Sequence, residues 1–313
     1  MDKQATRDAY GKALVELGQK HDDIVVLDAD LSKSTKTADF AKVFPERFIN
    51  AGIAEQNMMG MAAGLAAAGK VVFVSSFAVF AAGRAFEQVR NSLAYANLNV
   101  KVCATHSGIT VGEDGGSHQS VEDIALMRSL PNLTVVVPSD GVTTRLALIQ
   151  LYNHSGPAYL RLGRSALPVI YNDNLEFKIG SGIELRAGQD ATIIACGTMV
   201  SRALEAAAAL AAEAIQVSVI DMHTIKPLDT DLIIRKAKET RAILTVEEHS
   251  VIGGLGSAVA ETVSEGFPVL IKRIGINDTF GQSGSPDELM KHYGLTVDNL
   301  VYNVRDLVKK KQK

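Results

Sequence analysis

The sequence predicts an α/β chain of two domains, each a mostly parallel sheet flanked by helices. Three observations carry that expectation. At 313 residues the chain exceeds the usual length of one domain. Short β-branched runs alternate with helix-like segments along it. The texture then changes once, after Leu167-Pro168, where a polar stretch rich in turn formers separates two such arrays.

In the first array, Ile24-Val-Val-Leu, Val71-Val-Phe-Val, Val100-Lys-Val-Cys, Leu133-Thr-Val-Val-Val and Ala158-Tyr-Leu-Arg-Leu read as strands. Their near-continuous apolarity, in place of strict alternation, is what strands covered on both faces by helices require. The segment Val169 to Asp190, with Asn172-Asp-Asn and Gly180-Ser-Gly, reads as a linker, so the domains fall at 1–168 and 191–313 with 169–190 between them. The second array runs through Ala191-Thr-Ile-Ile-Ala, Val217-Ser-Val-Ile, Ile243-Leu-Thr-Val and Val269-Leu-Ile-Lys, and an alanine-rich helix from Ser201 to Ala214 joins its first two strands.

Lys and Arg total 32 against 35 Asp and Glu, a net charge of −3, so no basic field invites nucleic acid or an anionic membrane. Small molecules and proteins are the expected partners. Cys103 and Cys196 both lie in apolar runs, where a reduced buried thiol is the ordinary state, which suits the cytoplasm. The N-terminal Met1-Asp-Lys-Gln-Ala-Thr-Arg has no apolar signal core, and no stretch approaches the roughly 18 apolar residues of a membrane span. The closing Lys309-Lys-Lys-Gln-Lys reads as a solvated terminus.

In open α/β sheets ligands gather beyond the carboxyl ends of strands. Four loops there hold most of the unusual polar residues: Asp28-Ala-Asp-Leu-Ser-Lys-Ser, Ser75-Ser-Phe-Ala-Val-Phe, the stretch from His106 to His118, and Gly163-Arg-Ser. Glu55 heads a Gly- and Ala-rich helix, where a carboxylate either favours the helix N-terminus or serves chemistry. The small residues Gly60, Ala63, Gly64 and Ala67 fit internal packing or a subunit seam. The His106 to His118 loop has two histidines, Glu113, Asp114 and four glycines, without a familiar zinc spacing. Glycine backbone groups and histidine donors suit hydroxyls and phosphates, and Arg7, Ser34 and Arg164 either complete such a site or are surface residues. Gly253-Gly-Leu-Gly-Ser lacks the context of a dinucleotide fingerprint and reads as a tight turn into a helix.

Gly52-Ile-Ala-Glu-Gln-Asn-Met, Ser76-Phe-Ala-Val-Phe, Thr105-His-Ser-Gly-Ile-Thr-Val-Gly-Glu-Asp-Gly-Gly-Ser-His-Gln and Pro138-Ser-Asp-Gly resemble, in order and separation, the pyrimidine domain of the transketolase family. Val246-Glu-Glu-His-Ser-Val-Ile-Gly-Gly-Leu-Gly-Ser is similar to the C-terminal domain of that family. The resemblance covers essentially the whole chain and implies the C-terminal subunit of a split enzyme that uses thiamine diphosphate. It implies that Glu55 hydrogen-bonds and shares a proton with the cofactor's aminopyrimidine, that Phe77 and Phe80 hold that ring, and that Asp30 lies on the cofactor side. A further aromatic of the family's pocket falls at Gly83, with Phe86 as a substitute. His106, Asp114 and His118 match residues for sugar hydroxyls and proton traffic, and Arg7, Ser34 and Arg164 surround the sugar phosphate.

The family's diphosphate half binds Mg2+, or Ca2+ or Mn2+ in its place, through Gly-Asp-Gly and a later asparagine, and no Gly-Asp-Gly occurs here. The resemblance thus implies no metal site in this chain, a partner subunit that carries that motif, and two copies of each chain. Ketol transfer between sugar phosphates is the implied activity. The beta chain of a 2-oxo-acid dehydrogenase, a subunit resembling deoxyxylulose-phosphate synthase, and a non-catalytic scaffold subunit are the alternatives.

Overall fold

The computed structural model describes residues 2–311, so Met1 and the last two residues of the lysine-rich run lie outside it. Seven strands form the first sheet, in the order Thr224–Lys226, Thr134–Val136, Ala158–Arg161, Val100–Thr105, Val71–Phe77, Ile24–Asp28 and Phe48–Asn50. All neighbours are parallel except the outermost pair, Thr224–Lys226 against Thr134–Val136. Five strands form the second, in the order Leu270–Ile276, Ala242–Ser250, Ala191–Ala195, Val217–Asp221 and an antiparallel edge, Ile183–Arg186.

The inner strands are buried along their whole length because consecutive side chains feed different cores. Ile24, Val26, Val71 and Phe73 pack with Tyr10, Leu14 and Leu17 of helix Thr6–Lys20 and Leu148 and Leu151 of helix Gly141–Asn153. Val25, Leu27, Val72 and Val74 pack on the other face with Met58, Met59 and Ala62 of helix Glu55–Ala67 and with Val89 and Leu93. Asp140 starts helix Gly141–Asn153 by accepting from the Thr143 amide at 2.8 Å, while the Thr143 hydroxyl accepts from the Asp140 amide.

The two halves interlock. Thr224–Lys226, from the second half, is an edge strand of the first sheet, and Ile183–Arg186, from the stretch between the arrays, closes the second. Between them Arg161 donates to both oxygens of the buried Asp123, at 2.7 and 3.1 Å, and to the Glu248 carbonyl at 3.0 Å. Removing one member of such a buried pair costs about 3–5 kcal/mol, because the other charge is left unpaired. Asp221 accepts from the Ser139 hydroxyl at 2.6 Å and from the Tyr171 hydroxyl at 2.9 Å across the same junction.

Candidate active site

Two strand ends bring the aromatic residues together. Strand Val71–Phe77 delivers Phe77 directly, and the π-helical turn Val79–Arg84 that follows presents Phe80 and Arg84. Strand Val100–Thr105 delivers His106, whose φ of 55° turns the chain sharply into the histidine loop. Phe77 stacks on His106 with ring centroids 3.8 Å apart, and His118 meets Phe80 edge-on at 5.5 Å. Phe77, Phe80, His106 and His118 are therefore one aromatic cluster, with Phe77 and Phe80 near-parallel at 6.0 Å.

Glu55 is the first residue of helix Glu55–Ala67, and its side chain is 2% exposed. Arg84 donates Nη1 to Glu55 Oε2 at 2.9 Å and lays its guanidinium 4.4 Å from the centre of the Phe80 ring. Glu55 and Phe80 are thus brought together through a residue that the motifs did not single out. Phe86 instead turns inward and packs against the first hydrophobic core.

His106 is buried, with both ring nitrogens engaged. Arg7, always a donor, contacts Nε2 at 3.0 Å, so Nε2 accepts and the ring proton sits on Nδ1, facing the Thr105 hydroxyl at 2.9 Å. Burial, then the charges of Arg7 and Arg164, lower the His106 pKa to about 3, so this imidazole is neutral over the physiological range. Arg7 also donates to the backbone carbonyl of Ser34 at 3.1 Å, and its Nε is shielded from solvent without a partner among the described residues. Arg164 donates to the Val111 carbonyl at 2.8 Å and lies 3.2 Å from Asp114. Arg7, Ser34 and His106 thus form one contact group, and Arg164 and Asp114 form another. Asp30 sits apart from these contacts, exposed and exchanging two hydrogen bonds of 3.1 Å with Asn50.

The second half of the chain holds the histidine loop in shape. Glu248 Oε1 accepts from the Thr110 amide at 2.7 Å, and Ser283 donates to the Glu113 carbonyl at 2.7 Å. Gln119 ties together the carbonyls of Ile109, Gly112 and Gln282. Gly108, at φ +74°, has Glu248 so close that an added Cβ would lie 2.3 Å from Oε1, which explains glycine there. Glu247 accepts from the amides of Leu255 and Gly256, both at 2.7 Å, so Gly253-Gly-Leu-Gly leads into helix Leu255–Gly266. Among the described residues no group of three or more His, Cys, Asp or Glu is placed to hold a metal ion, and no helix is long and apolar enough to cross a membrane.

Fold and site together define a two-domain α/β chain in which a buried carboxylate, an aromatic cluster and arginines are joined by side-chain contacts. Residues 2–169 match the family description "Transketolase, pyrimidine binding domain", and residues 180–300 match "Transketolase, C-terminal domain". The chain is 52% identical over 307 residues to the "Putative transketolase C-terminal section" of Methanocaldococcus jannaschii, covering 97% of this chain and 96% of that one. It is 41% identical to human transketolase over 313 residues, 99% of this chain and 50% of the human protein. A solved structure described as "Split gene transketolase, inactive beta4 tetramer" is similar with a TM-score of 0.92 and 55% identity, covering 98% of this chain and 99% of that one. The chain belongs to the transketolase family, whose members depend on thiamine diphosphate. It corresponds to the pyrimidine-binding and C-terminal domains of its longer relatives, about half of their length.

Proposed function

We propose that the chain is the C-terminal subunit of a two-chain transketolase that moves a two-carbon ketol unit from a ketose phosphate to an aldose phosphate. The observation that carries this reading is the joining of two separate sets of groups by one chain of side-chain contacts. Buried Glu55 is linked through Arg84 to the Phe80 ring, Phe77 stacks on His106, and Arg7 contacts Nε2 of that histidine. The first set fits an aminopyrimidine, whose ring nitrogen can share a proton with a carboxyl group and whose face needs a flat apolar wall. The second fits a phosphate, and the unpartnered Nε of Arg7 is a donor that such an anion satisfies. When bound, thiamine diphosphate supplies the thiazolium carbon on which ketol transfer depends.

Within that reading each residue has a defined task. Glu55 holds a ring nitrogen of the aminopyrimidine, Phe77 and Phe80 fix the ring plane, and Asp30 approaches the cofactor from the Ile24–Asp28 strand end. Arg7, Ser34 and Arg164 receive the sugar phosphate. Asp114 and His118 face its hydroxyls. His106 presents a neutral ring whose Nε2 is released for a hydroxyl once Arg7 turns to the phosphate. The diphosphate and its Mg2+ belong to a partner subunit bearing Gly-Asp-Gly, a motif this sequence lacks. Two relatives described as subunits act, by their descriptions, on 6-deoxy-6-sulfo-D-fructose and apulose 4-phosphate, so the donor sugar is the variable element of the reading.

The test is a donor panel with the two chains mixed, in thiamine diphosphate and magnesium. Ketol transfer from ketose phosphates with at least tenfold higher kcat/KM than from the unphosphorylated ketoses supports the reading. Decarboxylation of 2-oxo acids with no ketol transfer replaces it with the dehydrogenase alternative.

A further inference from the structure

We infer that Arg84 is a built-in place-holder for the aminopyrimidine ring, which it must vacate before the cofactor seats. The inference rests on the reading of Glu55 and Phe80 as the ring's binding groups. A guanidinium is flat, donates N–H bonds in its own plane and stacks on aromatic faces. Arg84 makes both kinds of contact here: Nη1 donates to Glu55 at 2.9 Å, and the guanidinium carbon sits over Phe80, 4.4 Å from the ring centre. Those are the two places an aminopyrimidine would take, a ring nitrogen joined to the Glu55 carboxyl through a shared proton and a stack on the phenyl ring. The two groups cannot occupy them together.

The local backbone brings this about. Phe80 and Arg84 belong to the π-helical turn Val79–Arg84, and widened turns of this kind concentrate at functional sites. The exposure of the pair is unequal. Glu55 is 2% exposed and has little water to hydrogen-bond it, whereas the Arg84 side chain is 47% exposed and can return to water. Arg84 therefore supplies the hydrogen bond of a buried side chain before cofactor binds, and solvent, which already reaches Arg84, can replace its own contacts when it leaves. The consequence is competition: cofactor binding in the assembled enzyme is weakened by the fraction of time that Arg84 occupies the site.

Thiamine diphosphate affinity is measured calorimetrically for the mixed chains with magnesium, using wild-type chain and Arg84→Ala, together with thermal melting of the chain without its partner. Arg84→Ala is expected to bind thiamine diphosphate roughly five- to tenfold more tightly. Without the partner, the same variant is expected to melt at a lower temperature, and Glu55→Gln introduced beside Arg84→Ala to restore the wild-type melting point. Affinity that is unchanged or weaker in Arg84→Ala makes Arg84 a standing part of the site and overturns the inference while leaving the transketolase reading intact. Should the wild-type mixture take up no thiamine diphosphate at all, the transketolase reading fails and the place-holder fails with it.

Discussion

Glu55 reaches the cleft as the first residue of a helix that packs Met58, Met59 and Ala62 into the core, so its carboxyl is held out of water by its neighbours' burial. In the assembled enzyme Glu55→Gln is expected to slow hydrogen–deuterium exchange at the thiazolium carbon by about 10²–10⁴-fold, the usual worth of a positioned acid or base. Exchange at the wild-type rate removes Glu55 from this role. Arg164→Ala is expected to raise KM about tenfold or more for phosphorylated donors, with little change for unphosphorylated ones. Equal losses for both would count against a phosphate contact. At this scale contiguous motifs marked the candidates that the structure gathers around Phe77 and Phe80: Glu55 through Arg84, and both histidines. They did not mark Arg84, because its partner is 29 residues away and the meeting depends on how many residues the 79–84 turn holds. Nor did spacing reveal that Arg7 addresses the imidazole of His106 and the backbone, not the side chain, of Ser34.

The histidine loop is an element whose conformation is set from outside itself. Its glycines allow the turns at 108, 112 and 115, and Glu248, Gln119 and Ser283 select one arrangement. Gly108→Ala combines a left-handed backbone with a Cβ driven into Glu248, a strain of about 1–3 kcal/mol. It is expected to lower kcat/KM of the assembled enzyme by about ten- to a hundredfold, with the chain still folded by circular dichroism. An unaltered kcat/KM would show that the loop does not need Glu248. The buried strands were legible because both of their faces are apolar. Ile183–Arg186 was not, since a half-exposed edge strand shows only Leu185 to the second core and sits among turn formers. Glu248 was hidden for a different reason: its contact with Thr110 spans 138 residues of sequence, and only the folded domains bring the two together.

Across the whole molecule the junction between the halves is polar and proton-sensitive. Burial, with nearby Asp140 adding to it, pushes the Asp221 carboxyl up to about 7, although Ser139 and Tyr171 hydrogen-bond it. An acid harder to ionise folded than unfolded loses stability as pH rises from the unfolded value near 4 to about 7, and the loss is complete above that. Asp221→Asn is expected to flatten this slope and to stabilise the chain at pH 8 by roughly 2–4 kcal/mol in urea titrations. A variant less stable than wild type at pH 8, with the slope unchanged, would exclude Asp221 as the source.

The molecule also presents Gly60 and Gly64 to solvent on the Glu55 helix, with nothing within 4 Å of an added Cβ, a face that suits close approach by a second chain. That face lies on the element carrying Glu55, so assembly and cofactor capture are coupled in this account. The most direct measurement is calorimetric titration of thiamine diphosphate with magnesium into this chain alone, the Gly-Asp-Gly chain alone, and their mixture. The account predicts tight binding, at one cofactor per pair of chains, in the mixture only. Tight binding and ketol transfer by this chain alone would contradict a catalytic centre divided between two polypeptides.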